Sequence, residues 1–282
     1  MNIKKVTAIC FSPTGTSYRN MMAVAKGLNA PEVNVRDYTL VHNDETKYDE
    51  PLTNDDIAIF SVPVYGGHVP PIALNRMAAV EGNRTPAILL VTYGNRDFEN
   101  ALSELENFVI GHGFMPIAAG AMIGEHSYSN DAYPIAAGRP DAEDLTSAEC
   151  FGRKVADKLR EKPQNEWNIN VTADMPKVDT PKASHQAFVQ FIQTYSQQQQ
   201  LNPTKAYPTV DTNLCHHCGK CAENCPTQAI PVGNEEETIT SQCIRCCACV
   251  KGCPVGARTL LSPFAKPLSE NFQMRREALY LC

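Results

Sequence analysis

Short apolar runs alternate with amphipathic segments over the first part of the chain. Brief apolar runs are typical of strands buried on both faces of a parallel sheet, whereas apolar residues that recur every three or four positions indicate helices. The alternation predicts βαβ units with right-handed crossovers, and therefore an α/β fold with a doubly wound parallel sheet. The predicted strands are 6–11, 33–35, 57–62, 87–92 and 117–123, and the predicted helices are 17–28, 71–80, 98–112 and 142–160.

The pattern changes after residue 163, where prolines become frequent. One amphipathic helix fits into the segment that follows, because four apolar residues keep one helical face. They are Phe188, Phe191, Ile192 and Tyr195, and we expect them to pack on one of the flanking domains. The predicted division is a doubly wound domain at 1–163, a linker at 164–205, a cysteine-rich domain at 206–262 and a tail at 263–282.

The 282-residue chain carries a formal net charge of −6. Because it has no basic stripe to contact phosphates, we expect no nucleic-acid partner. No apolar run approaches the roughly 18 residues of a membrane span. The apolar run near the N-terminus ends at Ser12 and Pro13 and is too short for a signal peptide, so we expect a cytoplasmic location.

Nine of the twelve cysteines lie between residues 215 and 253. Disulfides are rare in cytosolic proteins, so this concentration indicates metal ligation. Eight of the nine form two copies of the motif C-x2-C-x2-C-x3-C-P, shifted by 28 residues. The first copy is Cys215, Cys218, Cys221 and Cys225, and the second is Cys243, Cys246, Cys249 and Cys253.

This spacing is typical of a pair of [4Fe–4S] clusters, in which three cysteines of one copy hold a cluster and the fourth ligates the other cluster. It predicts one cluster on Cys215, Cys218, Cys221 and Cys253, and a second on Cys243, Cys246, Cys249 and Cys225. The alternative is zinc, but zinc sites use paired C-x2-C units with four ligands for each ion, and the crossed triads fit that pattern poorly. Cys247 lies out of register and is interpreted as a free thiol.

The cysteine-rich segment resembles the bacterial two-cluster ferredoxins at every ligand position. The resemblance implies a small α+β domain with two hairpins. In one hairpin a strand that begins at Tyr207 would pair with residues 258–260, and in the other residues 230–232 would pair with 238–240.

A second group of polar residues follows the first predicted strand and precedes a helix. Amide groups and the dipole at a helix N-terminus favour an anion, and a glycine lets the backbone close around a phosphate. The alternative is simple capping of the helix by Thr16 or Ser17. The predicted phosphate ligands are Ser12, Thr14, Gly15, Thr16 and Ser17.

Two further loops leave strands at the same edge of the sheet, where doubly wound folds bind ligands. Each loop places a tyrosine beside a glycine, so that the ring could stack on a flat cofactor while the backbone contacts its edge. The alternative is a pair of ordinary turns with buried tyrosines. The loops contain Pro63, Val64, Tyr65, Gly66 and Gly67, and then Thr92, Tyr93, Gly94, Asn95 and Arg96.

The three loops in this order resemble those of flavodoxin, over residues 1–163. The resemblance implies FMN, with its phosphate on the first loop and its ring between the other two. Arg96 departs from the acidic surroundings that are usual in short-chain flavodoxins. The whole chain resembles the flavodoxin–ferredoxin fusions of anaerobic microbes, which have the same domain order.

The resemblance and the motifs together indicate an iron–sulfur flavoprotein that passes electrons between two [4Fe–4S] clusters and FMN, with redox proteins as partners. One alternative is an FMN-dependent reductase of a small-molecule acceptor that the ferredoxin domain supplies with electrons. Another is a docking module with a vacant flavin site. The chain has no G-x-G-x-x-G sequence, so direct oxidation of NAD(P)H is not indicated. An acidic protein would be steered towards basic patches on its partners.

Overall fold

The computed structural model describes residues 3–41 and 52–282 of the chain. The chain forms two compact units. The first unit consists of Met1–Gly124, Gly138–Val178 and Arg276–Cys282, and the second consists of Glu125–Ala137 and Asp179–Arg275.

The first unit contains the alternating strands and helices that the sequence predicts. In chain order they are β1 (Lys5–Cys10), α1 (Thr16–Leu28), β2 (Glu32–Asp37), β3 (Asp56–Pro63), α2 (Pro71–Met77), β4 (Thr85–Tyr93), α3 (Ala101–Gly111), β5 (Phe114–Ile123), α4 (Ala142–Glu161) and the short α5 (Val171–Asp174). The second unit contains α6 (Lys182–Leu201), β6 (Thr209–Val210), α7 (Lys220–Glu223), α8 (Ala248–Lys251), β7 (Arg258–Thr259) and α9 (Ala265–Asn271), and the chain returns to the first unit for β8 (Leu279–Leu281).

The main sheet has the strand order β2-β1-β3-β4-β5-β8. Strands β1 to β5 are parallel, and their order is that of flavodoxin-like doubly wound folds. The predicted α/β fold is therefore confirmed. Strand β8 adds an antiparallel edge beside β5, with Tyr280 opposite Gly120. The sequence analysis placed no element there, because three apolar residues are too few to show a period.

Helices α1 and α4 pack against each other at two glycines. A Cβ atom on Gly27 would lie 2.1 Å from the carbonyl oxygen of Glu149, and one on Gly152 would lie 2.2 Å from that of Val24. The start of α4 is stabilised by a capping box in which Asp141 and Asp144 each accept a backbone N–H. The two glycines therefore let the helices approach each other closely, and buried residues of both helices share one core with the sheet.

The predicted amphipathic helix is α6, and its apolar stripe packs on α9. The ring of Phe188 lies 5.3 Å from that of Phe272, and the rings of Phe191 and Tyr195 lie 5.4 and 4.9 Å from that of Phe264. The partner of the stripe is thus a helix in the segment that was predicted to be a tail.

The cysteine repeat folds with matching contacts in its two halves. The amide of Asp211 donates to Ala257, and the amide of Ile239, 28 residues later, donates to Ala229. Around the first contact β6 and β7 pair as predicted, with Val210 opposite Arg258. Around the second contact the predicted hairpin of 230–232 and 238–240 is wrong, since the structure forms no strand in these residues. Pro231 has no N–H to donate, and the side chain of Arg258 binds the carbonyl groups of Glu235 and Glu237.

The compact units differ from the predicted domain division. Residues 125–137 belong to the unit that holds the cysteines, and residues 276–282 belong to the unit that holds the sheet. Independent folding of the segments 1–163 and 206–262 stays a prediction. Within the described ranges, no helix is long and apolar enough to cross a membrane.

Candidate functional site

The eight motif cysteines line two separate cavities in the second unit. One cavity is lined by Cys215, Cys218, Cys221 and Cys253. The other is lined by Cys225, Cys243, Cys246 and Cys249, and also by Cys247. Each cavity therefore takes three cysteines from one copy of the motif and the fourth from the other copy. This is the crossed grouping that the spacing predicts.

The cysteines of each cavity are spread around its wall. Within the described ranges, no three His, Cys, Asp or Glu side chains converge as they would on a single metal ion. A four-iron cluster carries its iron atoms at separate corners, and its thiolate ligands therefore do not have to converge on one point. A cavity wall lined by four thiols suits the donor set of such a cluster.

Backbone amides point at the crossing cysteines. The amide of Ala229 donates to Sγ of Cys225 over 3.2 Å. For Cys253, burial raises the thiol pKa, but backbone hydrogen bonds, the largest from the amide of Arg258, together lower it below its usual value. Hydrogen bonds of this kind stabilise a thiolate, which is the form that ligates iron.

Cys247 occupies the position in the second half that Gly219 occupies in the first. Both residues begin a short helix in the left-handed conformation, with φ of 62° for Cys247 and 77° for Gly219. The thiol of Cys247 is buried, lines the second cavity and faces the carbonyl oxygen of Arg245. The interpretation of Cys247 as a free thiol stays a prediction.

The predicted phosphate loop lies between β1 and α1. Gly15 has φ of 78° and precedes the helix, and neither Thr16 nor Ser17 caps the helix, so the capping alternative is not realised. A Cβ atom on Gly15 would meet nothing within 4 Å, so the loop borders open space. Among the described residues, the amides of Thr14, Thr16 and Ser17 have no acceptor, and the buried hydroxyl of Ser17 has no partner. These unused groups fit a phosphate.

Other hydrogen bonds hold this loop in place, and the sequence analysis missed the residues that make them. The amide of Ser12 donates to Oγ1 of Thr39 over 2.7 Å, and the hydroxyl of Ser12 accepts from the amide of Tyr18. Arg76 donates to the carbonyl groups of Tyr38 and Thr39 at 3.1 and 2.5 Å. Thr39 follows a weak strand, and its sequence carries no local signal of this contact.

The first ring loop, residues 63–67, makes a tight turn after β3. Tyr65 and His68 exchange backbone hydrogen bonds, and Gly66 and Gly67 between them have φ of 61° and 88°. Tyr65 is half-buried, and no atom would contact a Cβ on Gly66. The turn therefore leaves an aromatic ring and an open backbone edge, as the prediction requires.

The second ring loop, residues 92–96, differs from its prediction at Tyr93. This residue is 2% exposed, its ring lies 5.7 Å from that of Phe98, and burial raises its pKa to about 12. It is thus a buried tyrosine, which is the alternative interpretation for this loop. Arg96 forms an ion pair with Glu99 at 2.5 Å.

Arg276, near the C-terminal end of the chain, holds the second ring loop by a hydrogen bond to its backbone. Nε of Arg276 donates to the carbonyl oxygen of Asn95 over 2.7 Å, and Arg139 donates to the carbonyl oxygen of Arg276 over 2.7 Å. Arg139 is buried and paired with Asp144. No sequence signal indicated this support, because its partners are far apart in the chain.

Comparison with known proteins finds one family model, a 4Fe-4S binding domain, which matches residues 207–230. No curated protein matches the chain.

Solved structures that resemble the chain include a flavodoxin from the domain Archaea, at 14% identity and a TM-score of 0.38. The match covers 56% of this chain and 99% of that one. A flavodoxin from Streptococcus pneumoniae has 20% identity and a TM-score of 0.38, and covers 55% of this chain and 99% of that one. A flavodiiron core protein from Synechocystis has 18% identity and a TM-score of 0.40, and covers 57% of this chain and 37% of that one. The 4Fe-4S match, together with the flavodoxin-like strand order, confirms the resemblance to flavodoxin–ferredoxin fusions.

Proposed function

We propose that the chain is an electron-transfer iron–sulfur flavoprotein that passes electrons between two [4Fe–4S] clusters and FMN. The observation that carries the proposal is the pair of cavities, each lined by four of the motif cysteines in the crossed grouping. When bound, clusters exchange single electrons and FMN takes up one or two, so that the protein contributes position and electrostatic tuning.

The proposed ligands of the first cluster are Cys215, Cys218, Cys221 and Cys253, and those of the second are Cys225, Cys243, Cys246 and Cys249. The 4Fe-4S family match covers the first copy of the motif, and the second copy repeats its contacts. Amide hydrogen bonds to the sulfurs of Cys225 and Cys253 favour the thiolate at the two crossing positions.

The proposed phosphate site of FMN is formed by the free amides of Thr14, Thr16 and Ser17 and by the Ser17 hydroxyl. Charge-assisted hydrogen bonds to a phosphate are stronger than neutral ones, so a few such donors suffice for tight binding. The ring would lie between residues 63–67 and 92–96, with Tyr65 as the aromatic neighbour, because Tyr93 is packed in the core.

Redox proteins are the proposed partners. The net charge of −6 grows more negative when anionic clusters and a phosphate are bound, and such a surface attracts basic docking patches.

Analysis of anaerobically purified protein tests the proposal. We expect about eight iron and eight sulfide per chain, the sum of two four-iron clusters, and about one FMN. Cys225→Ser should lose the cluster of the second cavity and keep that of the first, as judged by iron content and electron paramagnetic resonance (EPR). Cys247→Ser is the matched control and should keep both. Stoichiometric zinc, or loss of a cluster in Cys247→Ser, would contradict the ligand assignment.

A further inference from the structure

Arg258 is a buried cation beside the first cysteine cavity. Its side chain is 2% exposed and lines the cavity that holds Cys215, Cys218, Cys221 and Cys253. Within the described ranges, no carboxylate forms an ion pair with it. A buried charge without a counter-charge is costly, so such a group is retained where an anion balances it.

The hydrogen bonds of Arg258 do not use its Nε donor. Nη1 donates to the Thr238 hydroxyl over 2.9 Å, and Nη2 donates to the carbonyl oxygens of Glu235 and Glu237. All three acceptors are neutral. Nε is buried and has no acceptor among the described residues.

The nearby acidic side chain of Glu235 is engaged elsewhere. Its carboxylate accepts from the amide of Gly233 over 2.9 Å and contacts Nδ1 of His217 over 3.2 Å. Glu235, which also lines the first cavity, therefore accepts from Arg258 with its backbone carbonyl group, while its carboxylate binds other groups.

The cysteine repeat provides an internal comparison. The residue 28 positions before Arg258 is Ile230, which is buried and lines the second cavity. An apolar side chain thus fills this position in one half. What distinguishes the halves is a cation next to the first cavity.

We propose that Arg258 is the counter-charge of the cluster in the first cavity and that its Nε–H is the donor to a sulfur acceptor there, so that it tunes the reduction potential of that cluster. The inference rests on the proposed function, since it requires a cluster in the first cavity. When a redox partner donates one electron to a cluster, the charge of that cluster becomes more negative by one. A fixed cation and an N–H donor to sulfur favour that change.

The test is a potentiometric titration of the holoprotein, followed by EPR, with iron content measured first. The variants are Arg258→Ile, which installs the side chain of the other half, and Arg258→Lys, which keeps the charge without the Nε–H donor. Lys220→Gln is the control, because it removes a cation beside Cys221 that is exposed to solvent. The signals of the two clusters are assigned with Cys225→Ser.

In Arg258→Ile we expect the equilibrium constant for reduction of the first cluster to fall about tenfold, which is about 59 mV for one electron. The first cluster should shift more than the second, whose cavity Arg258 does not line. Arg258→Lys should shift the first cluster less than Arg258→Ile, and Lys220→Gln should have little effect. If Arg258→Ile does not retain iron, Arg258→Lys decides alone. A first-cluster potential that moves no more than in Lys220→Gln would overturn the inference, while wild-type protein without two clusters would overturn the proposed function instead.

Discussion

Two buried hydroxyl groups in the first unit have no hydrogen-bond partner among the described residues, Oγ1 of Thr7 and Oγ of Ser17. Burying a hydroxyl without a partner costs free energy, so each of the two positions needs an explanation. Their surroundings differ. Thr7 lies within β1, away from any loop, whereas Ser17 lies in the first turn of α1, next to amides that are also unused. Only Ser17 is placed where a phosphate could accept its proton.

Ser17→Ala should therefore weaken the binding of FMN by about 1.5–3 kcal/mol, which is the range of free energies for a hydrogen bond to a charged group. Fluorescence titration of the apoprotein measures the affinity. Riboflavin, which lacks the phosphate, should bind equally well to Ser17→Ala and to the wild type. Thr7→Val is the matched control, because it removes the other unpartnered hydroxyl at nearly constant volume and should leave FMN affinity unchanged. Equal losses for FMN and riboflavin in Ser17→Ala would refute the phosphate assignment.

At the level of elements, a histidine and a glutamate join the first ring loop to α3. Nδ1 of His68 contacts the carboxylate of Glu104, whose other oxygen accepts from the amide of Val69 over 2.9 Å. The hydrogen bond and charge of Glu104 raise the pKa of His68 above its usual value. The charged pair therefore forms below this raised pKa.

This shift gives a pH dependence with a definite sign. Because the pKa is raised in the folded state, the pair adds stability that is fully present below the unfolded pKa of about 6.5 and is lost as the pH rises through the folded pKa. His68 is exposed, so the effect on stability should be small. NMR titration of the His68 ring should show the raised pKa, and Glu104→Gln, which can still accept from Val69, should return it to the usual range. An unchanged pKa in Glu104→Gln would contradict the pairing.

The elements of the first unit could be predicted from the sequence, but their supports could not. Each predicted strand and helix of the sheet lies within three residues of its observed ends, because buried strands and amphipathic helices carry a local period. The contact from Ser12 to Thr39 spans 27 residues, and that from Arg276 to Asn95 spans 181. Contacts between residues so far apart leave no periodic pattern in the sequence. Tyr93 was assigned to the ring loop because a tyrosine beside a glycine has the same sequence signal in a site and in a core.

At the level of the whole molecule, the segment 125–137 belongs to the unit that holds the cysteines. Lys251 of α8 forms an ion pair with Glu125 at 2.5 Å and donates to the carbonyl oxygen of Ser129 over 2.8 Å. The hydroxyl of Ser269 donates to Pro134, and Ile135 packs with Leu268 and Phe272. These contacts connect the segment to α8 and to the region of α9, both in the second unit.

Cluster ligation contributes folding free energy to a small domain, so removal of the clusters should destabilise the second unit. The first unit has a core of its own and should stay folded. Hydrogen exchange, measured anaerobically before and after removal of the clusters by a chelator and an oxidant, should show that residues 125–137 and 206–262 lose protection together while β1 to β5 keep theirs. Lys251→Met should reduce protection of 125–137 even in the holoprotein. The control is Lys266→Met, which changes an exposed side chain of α9 that pairs with Glu270. If 125–137 instead stays protected with the sheet after the clusters are lost, the division at residue 163 describes the folding units better than the compact units do.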